Sequence, residues 1–387
     1  MPQTFDIIII GVGPAGLSAA LAALAAKPKP SVLLVDRIVP WEKPIACAEG
    51  VWTDQLYAAL DVKPEWVRFK ISKLVLCSAD GSSVTHFAKE AGSIINRSLM
   101  QRDMAGQCKA LGAEMRLNAD VAGIAPESNS LRDVRFTDGT VLSSRTVIDA
   151  SGPIAGFGKN EKIAWKPPDL EPAYFVVAEN AGIAADEIHV HLGKSVAPGG
   201  YVWAFPRENN GANIGLVLGA SYRGKVDIRK LLDSFLASNF PNATVKERHA
   251  GAIPCGGRPL PIAVSRFVKA GDAASMVNPF SRAGIMEAVI SGKLAGRCAC
   301  AMLEADSPEK IRAACRDYQK RWFSALGKKQ ERLARAKDAL FSIPDADYNN
   351  AFAALSKIPP DKRSITKIIG LSLGRFPRLA FAMRHLI

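Results

Sequence analysis

The chain has 387 residues, 48% apolar and 22% charged, a balance that fits two folded domains with a helical tail and excludes a disordered chain. Its formal net charge is +13, and residues 301–387 carry 17 Lys+Arg against 9 Asp+Glu, yet no nucleic-acid motif accompanies that excess. No run of eighteen apolar residues predicts a membrane span. The seven cysteines form no C-x-x-C pair and the five histidines no H-x-x-x-H, so no metal is expected and a reducing cytosol is.

In chain order, residues 5–10 are an unbroken apolar run and predict a buried parallel strand. Gly11–Gly16 follows as a turn, 17–26 as an Ala/Leu-rich helix, and 31–35 as a second strand ending at Asp36. This is one βαβ unit, and the helix is not a signal peptide because Asp6 and the glycine-rich turn precede it. Residues 70–96 alternate and predict an antiparallel layer. Helical character spans 97–116, with strands at 117–124 and 131–137 and a hairpin turn at Asp138-Gly139. Thr146–Ile148 predicts another buried strand. Residues 170–250 read as antiparallel sheet, including His189-Val190-His191, whose histidines are taken as partly buried sheet residues rather than catalysts. A strand at 267–270 then leads into a glycine-punctuated helix start, and from about 305 the pattern is mostly helical.

Gly11-Val12-Gly13-Pro14-Ala15-Gly16 is a G-x-G-x-x-G turn that follows a strand, opens a helix and has Asp36 twenty positions beyond. Gly11 permits the tight turn, Gly13 lets backbone approach a pyrophosphate, and Gly16 lets helix and strand pack closely. The helix N-terminus offers N–H groups and a positive dipole end to phosphates. Asp36 would accept hydrogen bonds from ribose hydroxyls. Arg37 would lie beside the adenine or point into water. The spacing alone does not choose FAD over NAD.

Two later segments make that choice. Val268-Lys269-Ala270-Gly271-Asp272-Ala273-Ala274, with Asn278-Pro279 and Ala283-Gly284-Ile285, resembles the second flavin motif of the flavoprotein class that includes aromatic hydroxylases. The resemblance implies that Asp272 binds the ribityl chain. It also implies that the helix near Gly284 points its N-terminus at the flavin pyrimidine ring. Arg97-Ser98-Leu99-Met100 resembles the segment whose Arg reaches the cofactor phosphates, and Val121 lies where the class makes a backbone contact to adenine. Asp149-Ala150-Ser151-Gly152 resembles the strand-to-loop return under the FAD.

A narrower match lies in Pro198-Gly199-Gly200-Tyr201-Val202-Trp203-Ala204-Phe205-Pro206, which resembles the P-x-x-Y-x-W-x-F-P segment of the geranylgeranyl reductase family. Lys43, Cys47-Ala48-Glu49-Gly50 and Asn213-Ile214-Gly215 add to it. That family uses reduced FAD to hydrogenate isolated double bonds of polyprenyl chains. The implied fold is a discontinuous Rossmann-type α/β FAD-binding domain (1–69, 97–165, 256–305), an antiparallel-sheet substrate domain (70–96, 166–255) and a helical C-terminal region (306–387). Two positions depart from the family pattern. Ala48 replaces a Gly of the cysteine loop, and Arg282 stands where Gly is usual, placing a guanidinium near the flavin or the substrate.

An isolated alkene needs a dry apolar slot and a proton source. Tyr201, Trp203 and Phe205 share one strand face if the strand is regular, and would wall that slot with Gly50, Pro279 and Arg282; an aromatic core layer is the alternative. Tyr201 or Cys47 would give the proton, a buried structural thiol being the other reading of Cys47. No second nicotinamide fingerprint is visible, so the electron donor is NADPH or a redox protein such as ferredoxin. The segment 362–387 has six basic residues and no acidic one and would rest on an anionic membrane, peripherally at the cytoplasmic face, or pack on the FAD domain. The competing functions are a flavin monooxygenase of an aromatic or small apolar substrate and a non-catalytic prenyl-lipid carrier.

Overall fold

The computed structural model describes residues 3–43, 45–154, 156–164, 169–256 and 261–359. The basic segment 362–387 lies outside the described residues. The chain forms two compact units from interleaved segments: 1–45, 97–169 and 254–331 make the first, and 46–96, 170–253 and 332–387 the second. Two boundaries differ from those read in the sequence. Residues 46–69 cluster with the second unit, because Gly50–Trp52 pairs antiparallel with Ser83–Ile95 and Val67–Cys77 is a strand of the same sheet. The helical region is no separate body. Residues 306–331 cluster with the first unit and 332 onward with the second.

The first unit is a doubly wound sheet. Thr4–Ile10 sits between Val32–Val35 and Val141–Asp149, parallel to both. Glu114–Arg116 extends the sheet beyond Val32–Val35, and Phe267–Lys269 extends it beyond Val141–Asp149, again parallel. The chain order across these five strands is 3-2-1-4-5, which leaves a crevice at the carboxyl ends of the first and fourth. Ile7, Ile8 and Ile9 are wholly buried, as an unalternating run between two covered faces requires. The helix expected over 97–116 ends at Ala110; Gly112 turns the chain at φ +93°, and Glu114–Arg116 becomes an edge strand. The hairpin Val121–Ile124 with Arg132–Phe136 joins through Val141–Asp149.

The second unit is an eight-stranded sheet among the described residues. It is antiparallel along Leu170–Glu179, Gly211–Val217, Tyr201–Arg207 and Glu187–His191. One neighbouring pair departs from the expected antiparallel pattern, since Glu187–His191 runs parallel to Val67–Cys77. A helix over Ile228–Asn239, which interrupts the predicted run of strands, starts where Asp227 accepts hydrogen bonds from the Arg229 and Lys230 amides. Period-two alternation then sorts the sheet into two faces. Tyr174, Val176, Val202, Ala204, Ile214 and Leu216 pack with Leu232 and Leu236 of that helix. Ala173, Phe175, Trp203 and Val217 form the opposite face.

Candidate functional site

The glycine loop of the first unit is held by backbone contact that no side chain would allow. Gly11 adopts φ +100° and its amide donates to Val35 O at 2.7 Å. A Cβ there would overlap the Ala150 carbonyl, and one on Gly16 would overlap the Gly11 carbonyl. Gly13 differs, for a Cβ on it would meet nothing within 4 Å. The space at Gly13 opens before the helix Pro14–Leu24, whose first turn has no side-chain cap and no acidic residue. A phosphate group fits that chemistry and that space. Ala15 is buried against Gly271 and Gly292, so it shapes the loop rather than facing open space.

Asp36 closes the loop from the second strand. One carboxylate oxygen accepts from the Val12 amide at 2.8 Å and the other from the Ile38 amide at 3.1 Å. Burial pushes its pKa up, and these amides work against the rise. The Asp36 carbonyl accepts from the Ala119 amide, bringing the start of Val121–Ile124 to the same end of the sheet. Arg37 is exposed. Arg97 donates to Gln101 Oε1 at 2.7 Å, and the buried Gln101 reaches Val12 O at 3.5 Å. Gln101 thus links Arg97 to the glycine loop, a role that sequence spacing did not reveal.

The second motif meets the first through small residues. Gly271, at φ +63°, leaves no room for a Cβ against Ala15, and its amide donates to Ser291 Oγ. Gly292 and Gly296 let the helix Ile285–Glu304 lie directly on the backbone of Ala15 and Ala19. The N-terminus of that helix, at Gly284, is thereby fixed beside Asp272. Burial pushes the Asp272 carboxyl up to about 6, with Arg97 opposing. Glu287, in the first turn and buried, is pushed up to about 7 by burial, with a further rise from Asp272. Behind the loop, Lys269 Nζ pairs with Asp149 at 3.1 Å and donates to Phe157 O and Ala164 O. This buried pair joins two parallel strands at directly opposed positions.

Pro279 is buried in the turn that leads to Gly284, where Asn278 Oδ1 accepts from the Phe280 and Ser281 amides. Arg282 occupies the left-handed region at φ +56° and is 8% exposed. The backbone there explains why a Gly suits the position. The Arg282 guanidinium folds back to donate to Phe280 O at 2.9 Å. Ala283 and Ile285 flank Gly284, Ala283 half-buried and Ile285 buried.

In the second unit, Tyr201, Trp203 and Phe205 share a face with Phe175, Val177, Ala48 and Ile253. Trp203 lies across Gly215, its opposite number in register, where a Cβ would overlap the indole. Trp203 Nε1 donates to Asn213 Oδ1 at 2.8 Å, and Asn213 Nδ2 donates to Cys47 O at 3.1 Å. Cys47 is half-buried and its Sγ accepts from the Glu49 amide at 3.3 Å. Glu49, at φ +63°, pairs with Arg207 at 2.6 Å, and Gly50 lies against the Phe205 ring. Cys47, Gly50, Tyr201, Trp203 and Phe205 are therefore one constellation. Phe341 stacks on Tyr201 at 6.1 Å between centroids, and Lys337 forms a buried pair with Glu171 at 2.8 Å. Neither partner was visible from sequence, because both come from the helix Lys328–Phe341.

Known proteins resemble this chain in sequence and in fold. Residues 169–253 match the geranylgeranyl reductase catalytic domain, and 6–165 match the lycopene cyclase protein family. A digeranylgeranylglycerophospholipid reductase of Methanococcoides burtonii is 29% identical, covering 100% of this chain and 96% of its own. One from Methanocella arvoryzae is 28% identical, covering 98% of each. A geranylgeranyl bacteriochlorophyll reductase-like structure from Thermoplasma acidophilum superposes with a TM-score of 0.85 at 21% identity, covering both chains fully. A flavin-dependent halogenase structure reaches 0.70 at 15% identity, covering 98% of this chain and 72% of that one. Fold and glycine cradle define a protein with a Rossmann-type dinucleotide-binding domain, the fold it shares with these flavoprotein structures. Over its whole length the chain is similar to the digeranylgeranylglycerophospholipid reductases.

Proposed function

We propose that this protein saturates isolated C=C bonds of a geranylgeranyl-type lipid. The observation that carries the reading is the constellation of Cys47, Trp203 and Asn213 beside Tyr201 and Phe205, within or against the segment that matches the reductase catalytic domain. An intact cradle at Gly11, Gly13, Gly16 and Asp272 argues against a non-catalytic lipid carrier. The catalytic-domain match argues against a monooxygenase.

The residues of the first unit fit FAD. Gly13 and the uncapped helix would take the pyrophosphate, Asp36 the adenosine ribose, and Asp272 the ribityl chain. Arg97 would meet a phosphate and Val121 the adenine edge. The N-terminus of Ile285–Glu304, preceded by Ala283 and Gly284, would favour negative charge at the ring. Bound there, reduced FAD would supply a hydride equivalent to one alkene carbon.

The other carbon must take a proton. Tyr201 and Cys47 are the candidate donors, while Trp203, held by Asn213, and Phe205 present an apolar wall to the isoprenoid chain. Gly50, Pro279 and Arg282 are proposed to border the substrate. Electrons would come from NADPH or a ferredoxin-type protein. The basic segment 362–387 is proposed to contact anionic membrane lipid, and no described helix is long and apolar enough to cross a membrane.

The test is anaerobic reduction by dithionite with a geranylgeranyl lipid, followed by mass spectrometry. Lipid mass should rise in steps of two hydrogens; unchanged mass across several polyprenyl substrates would reject the function. Cys47→Ser and Tyr201→Phe separate the proton donors, since only loss of the true donor should lower the rate. Truncation after Pro360 should weaken binding to anionic vesicles.

A further inference from the structure

The face of the second sheet opposite Trp203 carries a cluster of potential metal-ligating side chains. His189 and His191 pair in register with Ala204 and Val202, which point towards the helix Ile228–Asn239. Val190, between them, pairs with Trp203 on the other face. Cys77 lies directly opposite His191 on the parallel neighbour Val67–Cys77. A sulfur and two imidazoles therefore meet on one surface, with ligand atoms all within 4.8 Å of one another. Spacing arguments on the sequence gave no metal signal, because the third donor comes from a distant strand.

His191 is 9% exposed, and its Nε2 is buried with no hydrogen-bond partner. A buried imidazole nitrogen left unpaired is costly and asks for a partner. Phe235 packs edge-on at 4.8 Å between centroids and closes the apolar side. His189 is the half-exposed member, offering a path for entry, and one of its nitrogens lies 3.3 Å from Glu187 Oε2. A carboxylate on one imidazole nitrogen leaves the other as the ligand atom and orients the ring.

We infer that Cys77, His189 and His191 form a zinc(II) site, with Glu187 orienting His189 and water completing a tetrahedron. A thiolate with two imidazoles suits a borderline-soft ion rather than magnesium or calcium. Tetrahedral zinc with ordinary bond lengths holds its N and S donors roughly 3.3–3.6 Å apart, so the three side chains close by about 1 Å on binding. The Cys77 thiol proton leaves to solvent as the Zn–S bond forms. The site lies on the face turned away from Trp203, so its role is to hold the strands Val67–Cys77 and Glu187–His191 together.

The test uses full-length protein without a polyhistidine tag, stripped with a chelator and dialysed against micromolar zinc. One zinc per chain is expected, with cobalt(II) giving tetrahedral absorption bands to the red of flavin. Cys77→Ser and His191→Ala should each weaken zinc binding at least a hundredfold, while Cys300→Ser should not. If Cys77→Ser fails to fold by circular dichroism, the partly exposed His189→Ala carries the same expectation. Zinc should also raise the parent's Tm and not that of a ligand variant. Absence of bound zinc in the parent, or stoichiometry unchanged in any folded ligand variant, would overturn the site.

Discussion

The two units build their candidate sites from opposite materials. In the first, backbone does the shaping: Gly11, Gly16, Gly271, Gly292 and Gly296 each sit where a Cβ would strike a neighbouring atom. In the second, side chains do it: Trp203, Phe205, Tyr201 and Phe341 fill a face, and Asn213 sets the indole. The difference follows from the ligands each would take. A pyrophosphate is read by N–H groups at close range, so side chains must stay away. An isoprenoid chain offers only shape and apolar area, so bulky side chains must be present and held still.

The sharpest way to break this contrast is at the glycines. Gly16→Val forces side-chain atoms into the Gly11 carbonyl and should cost at least about 3 kcal/mol, giving little soluble protein. Gly13→Ala probes the same loop without that clash. Its stability should stay within about 0.5 kcal/mol, yet FAD affinity should fall roughly a hundredfold, about 3 kcal/mol. Thermal denaturation beside a flavin fluorescence titration reads both. Equal loss of fold and FAD in Gly13→Ala would show that the space there is structural.

In the second unit Asn213→Ala should cost about 2 kcal/mol, since Trp203 Nε1 and Cys47 O lose a buried partner. Denaturant unfolding measures it, and product formation should fall while FAD affinity holds. FAD loss equal to that of Gly13→Ala would erase the division of labour.

A smaller effect belongs to Glu287. Its carboxyl is held from an ordinary 4.5 up to about 7, so the native state binds more protons than the unfolded one across that window. Stability of the FAD-free protein should therefore fall as pH rises from about 4.5 to 7, and Glu287→Gln should flatten that decline in Tm. Smallest of all, Arg282→Gly relieves a left-handed backbone but loses a hydrogen bond to Phe280 O. Its stability should stay within about 1 kcal/mol of the parent by the same unfolding measurement.

The cradle was legible because it is local. Gly11 to Asp36 is one βαβ unit, and each glycine acts on atoms a few positions away or on the next strand. Alternation likewise put Tyr201, Trp203 and Phe205 on one face, since period two is a property of the strand itself. The sequence was less able to assign residues 46–69, because Gly50–Trp52 has meaning only beside Ser83–Ile95. It also ran helix through Glu114–Arg116, where an edge position beside Val32–Val35 overrides local preference.

By itself, then, the sequence determined the glycine turn of the first βαβ unit, the strand-to-helix turn at Gly271-Asp272 and the aromatic strand. Only the tertiary structure decided that Gln101 ties Arg97 to the loop, that Lys269 neutralises Asp149, that Asn213 sets Trp203, and that Cys77 faces His191. Gln101 and Val12, Lys269 and Asp149, and Cys77 and His191 lie far apart in the chain, and Trp203 meets Asn213 across two paired strands. Their meeting depends on sheet register and helix packing, which no short-range pattern encodes.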